Sequence, residues 1–109
     1  MIVSDDTVSK ALQYLAEDPH PIALARKDVT DARNAREASF ADLYHAAEGT
    51  VKDRECAVER NARYQGLKVN EAEAEKELER HTARTRAAEM LIEVWRSENA
   101  NARAAEKVR

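Results

Sequence analysis

An all-α fold is what this sequence predicts: a long antiparallel helical hairpin, coiled-coil-like, with one or two short helices and assembly into an oligomeric bundle. Three observations carry that prediction. The 109 residues include only two glycines and two prolines, too few for the turns of a sandwich or barrel. Charged residues make up 36% of the chain and are mixed with 21 alanines, a composition of strong helix formers. Leu67, Glu71, Ala74, Leu78, His81, Thr85, Ala88, Ile92 and Trp95 follow one another at alternating spacings of four and three, an unbroken heptad register.

Leu, Ile, Val and Phe together number only 19, a content low enough to raise the question of disorder. A net charge of −3 answers it, because the chain does not strongly repel itself. Thin, alanine-rich seams follow. A short chain with such seams buries little surface, so a homo-oligomer is expected.

The elements follow in order along a single helical domain, residues 1–109. Ser4 is placed as an N-cap, and Asp5 and Asp6 sit in a first turn where the helix dipole favours negative charge. Val8, Leu12 and Leu15, flanked by Ala11 and Tyr14, predict a helix over about 5–17. Asp18-Pro-His-Pro21 breaks it. Pro21 suits the first position of a second helix, because its missing N–H costs nothing there. That helix runs to about 47, where Gly49 provides a stop. Thr50-Val-Lys-Asp53 has the form of a capping box with Asp in place of Glu, and opens a third helix over about 51–64. Gly66 is expected to end it. The heptad stretch is the fourth helix, about 67–98, a rod of roughly 45–50 Å. It pairs with helix two in an antiparallel hairpin, the start of helix two facing Ile92 and Trp95 and its end meeting Leu67. Helix one packs beside Trp95. The tail, 99–109, has Val108 as its one large apolar residue and is frayed helix or disordered.

Several classes are excluded. Two isolated glycines build no phosphate-cradling loop. A lone Cys56 forms neither a disulfide framework nor a multi-cysteine zinc site, and reads as a buried structural thiol. Asp42-x-x-His45 has half of a di-iron carboxylate–histidine motif, but the second copy, Glu17-x-x-His20, is interrupted by Pro19. No base is positioned for nucleophilic catalysis. The chain is therefore read as a non-enzyme without cofactor, metal or catalytic residues. The start lacks a basic segment followed by an apolar one, and no apolar run approaches a membrane span; a cytoplasmic location away from membranes is expected.

Two charged faces remain as interaction candidates. Glu71, Glu75 and Glu79 share one helical face, either solvated or an acidic partner face. From Arg80 onward there are seven basic residues against four acidic ones, and Arg80, Arg84, Arg86, Arg96 and Arg103 are the candidates for contact with nucleic acid or a protein partner. Trp95 has the chemistry to stack on a base, but its heptad position assigns it to the core. Leu78, Ala88, Leu91, Ile92 and Trp95 are the expected helix seam and oligomer core. His81, also on the seam, is a polar group of the kind that sets helix register. A helix-turn-helix over about 40–64 is disfavoured, because Asp53, Glu55 and Glu59 offset Arg54, Arg60 and Arg63.

Glu48-Gly-Thr-Val-Lys-Asp-Arg54, and the stretch from Arg84 through Ile92-Glu-Val-Trp-Arg-Ser-Glu-Asn-Ala-Asn101, carry a resemblance. The chain resembles a family of small early-region helical proteins of tailed bacteriophages that end in such a Trp-Arg-Ser-x-Asn-Ala-Asn string. The resemblance spans most of residues 8–103 and is sharp in those two stretches. It implies a protein encoded near recombination and single-strand DNA functions, and it assigns no catalytic residue. Family members often continue with arginines and a glycine, where this chain has Ala102-Arg-Ala-Ala105. The expected function is an accessory of phage recombination or single-strand DNA metabolism in the host cytoplasm, with partners being the chain itself and single-stranded DNA or a phage or host protein. The alternatives are an inhibitor that covers a host nucleic-acid enzyme or defence system by protein contact, and a coiled-coil scaffold.

Overall fold

The computed structural model describes residues 2–107 and the backbone of Val108. Among them the chain forms four helices, α1 (Asp5–Leu15), α2 (Pro21–Ala46), α3 (Val51–Arg60) and α4 (Ala62–Val108), and no strand. The all-α class is as the sequence predicts. The helices gather into two compact units. One comprises the chain up to Ile22 together with Arg80 onward; the other is Ala23–Glu79. No helix among the described residues is long and apolar enough to cross a membrane.

In the first unit, α1 starts where the Ser4 hydroxyl oxygen accepts a hydrogen bond from the Thr7 amide (3.2 Å), with Asp5 and Asp6 in the first turn. Its buried face is Val8, Ala11 and Tyr14. Leu12, expected on that face, is 51% exposed. The reason is steric: Ala11 and Ala88 are small enough to let α1 and α4 approach closely, and Tyr14, Leu15 and Ile92 fill the space around them. The helix ends at Leu15, short of the expected 17, because the Glu17 amide bonds to the Tyr14 carbonyl three residues back and so leaves the α-helical pattern.

Pro21 opens α2, and the His20 ring nitrogen Nδ1 accepts from the Ile22 amide (3.1 Å). In the second unit α2 and α4 run antiparallel. Arg33 lies 3.7 Å from Glu75, Arg36 pairs with Glu71, and the Phe40 ring lies 6.1 Å from that of Tyr64. In the first unit it is α1 that packs around Ala88 and Ile92. After α2, Gly49 takes φ +107°, a conformation L side chains rarely adopt. A side chain there would also press on the Asp53 carboxylate.

The capping box that opens α3 is complete. The Thr50 hydroxyl oxygen accepts from the Asp53 amide (3.2 Å), and the Asp53 carboxylate accepts from the Thr50 amide (3.1 Å). The break between α3 and α4 falls at Asn61, not at Gly66. Asn61 has an extended backbone, donates its amide to the Val58 carbonyl, and accepts from the Tyr64 amide at its side-chain oxygen (3.0 Å). One residue thus closes α3 and caps α4. Gly66 sits inside α4, where glycine costs about 1 kcal/mol against alanine, comparable to what an asparagine cap contributes. The third helix therefore ends at Arg60 and the fourth begins at Ala62.

Every heptad position from Leu67 to Trp95 is buried or half-buried, and the stripe extends back to Tyr64 and on to Asn99. The fourth helix also does not stop near 98. It continues through the alanine-rich tail to Val108.

Candidate functional site

In the first unit, α1 lies across α4 and sets several side chains that the sequence offers as interaction residues. The Tyr14 hydroxyl donates to the His81 carbonyl or shares its proton with Thr85 Oγ1, both at 3.2 Å. The Thr85 hydroxyl itself donates to the His81 carbonyl at 2.9 Å. The Arg84 guanidinium sits 4.0 Å above the Tyr14 ring, a cation–π contact. His20 meets the same ring edge-on at 5.0 Å. Arg84 is thereby held on the protein's own aromatic surface. Arg80 lies beside His81, 3.4 Å from its Nε2.

Trp95 is half-buried, as its heptad position predicts, and its indole N–H donates to Asp5 (2.9 Å). The Ile2 amide donates to Glu98 at 2.9 Å. Ala88 and Ile92, expected in an oligomer core, are covered within the chain by Ala11, Tyr14 and Leu15. Leu78 and Leu91 are half-buried.

Beyond the α1 contact the picture changes. Arg96 and Arg103 are exposed. Arg96 makes one contact with Glu93 (3.3 Å), an exposed pair of the kind that contributes little. Arg103 donates to the Asn99 carbonyl at 3.4 Å, one turn back along the helix. Because α4 stays helical to Val108, Arg96, Arg103 and Lys107 recur at i, i+7 and i+11, which places them on one stripe. Trp95, Arg96, Asn99, Ala102, Arg103 and Glu106 line a shallow depression there. Two guanidinium forks, an amide and the rim of an indole are a set that suits a phosphate-bearing strand. Lys107, one of the seven basic residues from Arg80 onward but not among the contact candidates, enters the stripe through the helical tail. Arg109 lies outside the described residues.

The acidic candidates divide. Glu71 accepts from Arg36 and lies 3.7 Å from Arg33, which also reaches Glu75 at 3.7 Å. These two carboxylates join α4 to α2 inside the second unit, so an acidic partner face keeps only Glu79 as an exposed carboxylate without such a link. The signal was present in the sequence as Arg33 and Arg36, three apart on helix two. The hydrogen bond from Arg36, with the added positive charge of Arg33, holds the Glu71 carboxyl below its ordinary value of 4.5 against the opposing effect of partial burial. The same pairing raises Arg36.

A carboxylate depressed in the fold stabilises it above the unfolded value, and that stabilisation is lost as pH falls through the lower folded one. The gap in urea midpoint between the protein and its Glu71→Gln variant is therefore expected to close as pH drops from about 7 to about 3. A gap that stays constant would show that the ionised pair contributes nothing.

Cys56 is exposed, contrary to the expectation of a buried thiol; the inward position on α3 belongs to Val58, which is fully buried. Among the described residues no group of three or more His, Cys, Asp or Glu is placed to hold a metal ion.

Fold and surface together define a helical protein with a basic distal stripe on its longest helix. No protein-family model, curated protein or solved structure matches the chain.

Proposed function

We propose that this chain is a non-enzymatic helical interaction protein that contacts single-stranded DNA through Arg96, Arg103 and Lys107, as an accessory of phage recombination or single-strand DNA metabolism. The observation that carries the reading is the helical course of α4 through its tail, which aligns three cations on one exposed stripe beside Trp95 and Asn99. The resemblance read from the Ile92–Asn101 string points in the same direction. Phosphate contact is the primary interaction, and Trp95, tied to Asp5, offers at most an edge to a base.

Labelled single-stranded oligonucleotide titrated with the protein tests this. Binding is expected to weaken with salt, with a slope of about −0.7 per phosphate contact and hence about −2 for three. The double variant R96E/R103E is expected to lose about tenfold or more in affinity, while R84E, whose guanidinium already sits on Tyr14, changes affinity less. Absence of binding at about 50 mM salt, where phosphate contacts are strong, overturns the reading. So does binding that R96E/R103E leaves intact.

A further inference from the structure

The first unit exposes an apolar strip on α4 that is separate from the basic stripe and borders the seam under α1 at Ala87. Ala83, Ala87, Met90 and Val94 follow at spacings of four, three and four, the register of a coiled-coil contact. They lie between a third and a half of a turn around the helix from Ala88 and Ile92, the positions that α1 covers. Met90 is 67% exposed and Val94 40%. Ala87, Met90 and Val94 join Leu91 around one shallow apolar depression, a contiguous patch of the kind that marks a contact site.

Charges on the outer edge of the strip say what fits it. Arg86 and Glu93 stand one heptad apart on the same flank, and both are exposed. Arg86 makes no ion pair among the described residues, and Glu93 holds only the exposed contact with Arg96. Lay a second copy antiparallel, so that Ala87 faces Met90 of the partner subunit and Val94 faces Ala83 of the partner subunit. The two-fold axis then brings Arg86 against Glu93 of the partner subunit, and Glu93 against Arg86 of the partner subunit. One flank thus supplies two reciprocal ion pairs, as an isologous contact requires. A parallel arrangement lacks this match and sets Glu93 beside Glu98 of the partner subunit, a like-charge contact.

We propose that Ala83, Ala87, Met90 and Val94 form the seam of an antiparallel dimer of this chain, its direction set by Arg86 and Glu93. This surface differs from the Ala88–Ile92–Trp95 seam, which is engaged within the chain. The alanines permit close approach of the two helices, and Met90 adapts to the facing surface.

Analytical ultracentrifugation of the full chain tests the proposal. The protein is expected to dimerise with concentration, and Met90→Lys, on an exposed site that leaves the fold intact by circular dichroism, to weaken the dimer about tenfold or more. R86E and E93R are each expected to self-associate more weakly than the parent, because each presents one sign of charge along the flank. An equimolar mixture of the two is expected to associate more tightly than either alone, since the antiparallel pairing then joins carboxylates to guanidiniums at both positions. A chain that stays monomeric up to about 1 mM overturns the proposal, that range being enough to reveal millimolar association. A dimer indifferent to Met90→Lys, or a mixture no tighter than its components, overturns the assigned surface and direction.

Discussion

Tyr14→Ala is expected to release α1 from α4 at a cost of about 3–5 kcal/mol, the range for removing a buried aromatic side chain. Tyr14 is 3% exposed and is the largest side chain in the Ala11–Ala88 cluster. The helices meet there through two alanines, so little else is available to fill the space the ring leaves. Arg84 would lose the aromatic face 4.0 Å beneath it, and the His81 carbonyl would lose one of its two donors. Against a total stability of about 5–15 kcal/mol for a domain, this is a large fraction. The companion variant Tyr14→Phe keeps the ring and removes only the hydroxyl, and is expected to cost about 1 kcal/mol. Trp95 is the chain's one tryptophan and is bonded to Asp5 of α1, so its fluorescence reports this contact directly. A Tyr14→Ala protein whose Trp95 emission and urea midpoint match the parent would mean that α1 is held by something other than this cluster.

Much of this was legible in the sequence, and the parts that were not have physical reasons. The heptad from Leu67 to Trp95 was readable because one helix face repeated without interruption, and burial follows it position by position. The Thr50–Asp53 box and the Gly49 stop were readable because each depends on a local bond or a local dihedral. The boundary at Asn61 was missed because two signals competed over a few residues. Glycine is merely tolerated within a helix, whereas asparagine supplies a side-chain acceptor, and the bond to the Tyr64 amide decided the outcome. The choice between Leu12 and Ala11 on α1 was not local at all. It depended on finding Ala88 opposite, and small-to-small contacts leave no hydrophobic signature in a single helix. The interaction surfaces show the same division. The arginines of the distal stripe were visible as a charge count, but their alignment depended on whether the tail stayed helical. Glu71 and Glu75 looked like a free acidic face because their partners lie some 35 to 42 residues away on α2.

In the second unit Tyr64 occupies a position equivalent in importance, and Tyr64→Ala is expected to cost a comparable amount, about 3–5 kcal/mol. Tyr64 is 4% exposed. It stands at the first turn of α4, where its amide is bound by the Asn61 cap and its ring lies tilted against Phe40 at 6.1 Å, which in turn stacks on Tyr44 at 5.9 Å. Lys68 approaches the Tyr64 ring to 5.8 Å, and Arg36, which pairs with Glu71, lines the same shallow depression as Tyr64. One ring therefore joins the start of α4 to α2 by packing and borders the arginine that makes the α2–α4 ion pair. Its removal is expected to loosen both links together. Amide exchange should quicken in residues 61–71 and 33–44 alike, and the pH dependence associated with Glu71 should diminish, because Arg36 loses the ring that borders it. Tyr64→Phe separates the two contributions: the ring remains, so stability should fall by about 1 kcal/mol while the exchange of 33–44 stays slow. Faster exchange confined to 61–71 in the alanine variant would show that Tyr64 acts only as part of the helix start, and that α2 is held to α4 by the arginine pairs alone.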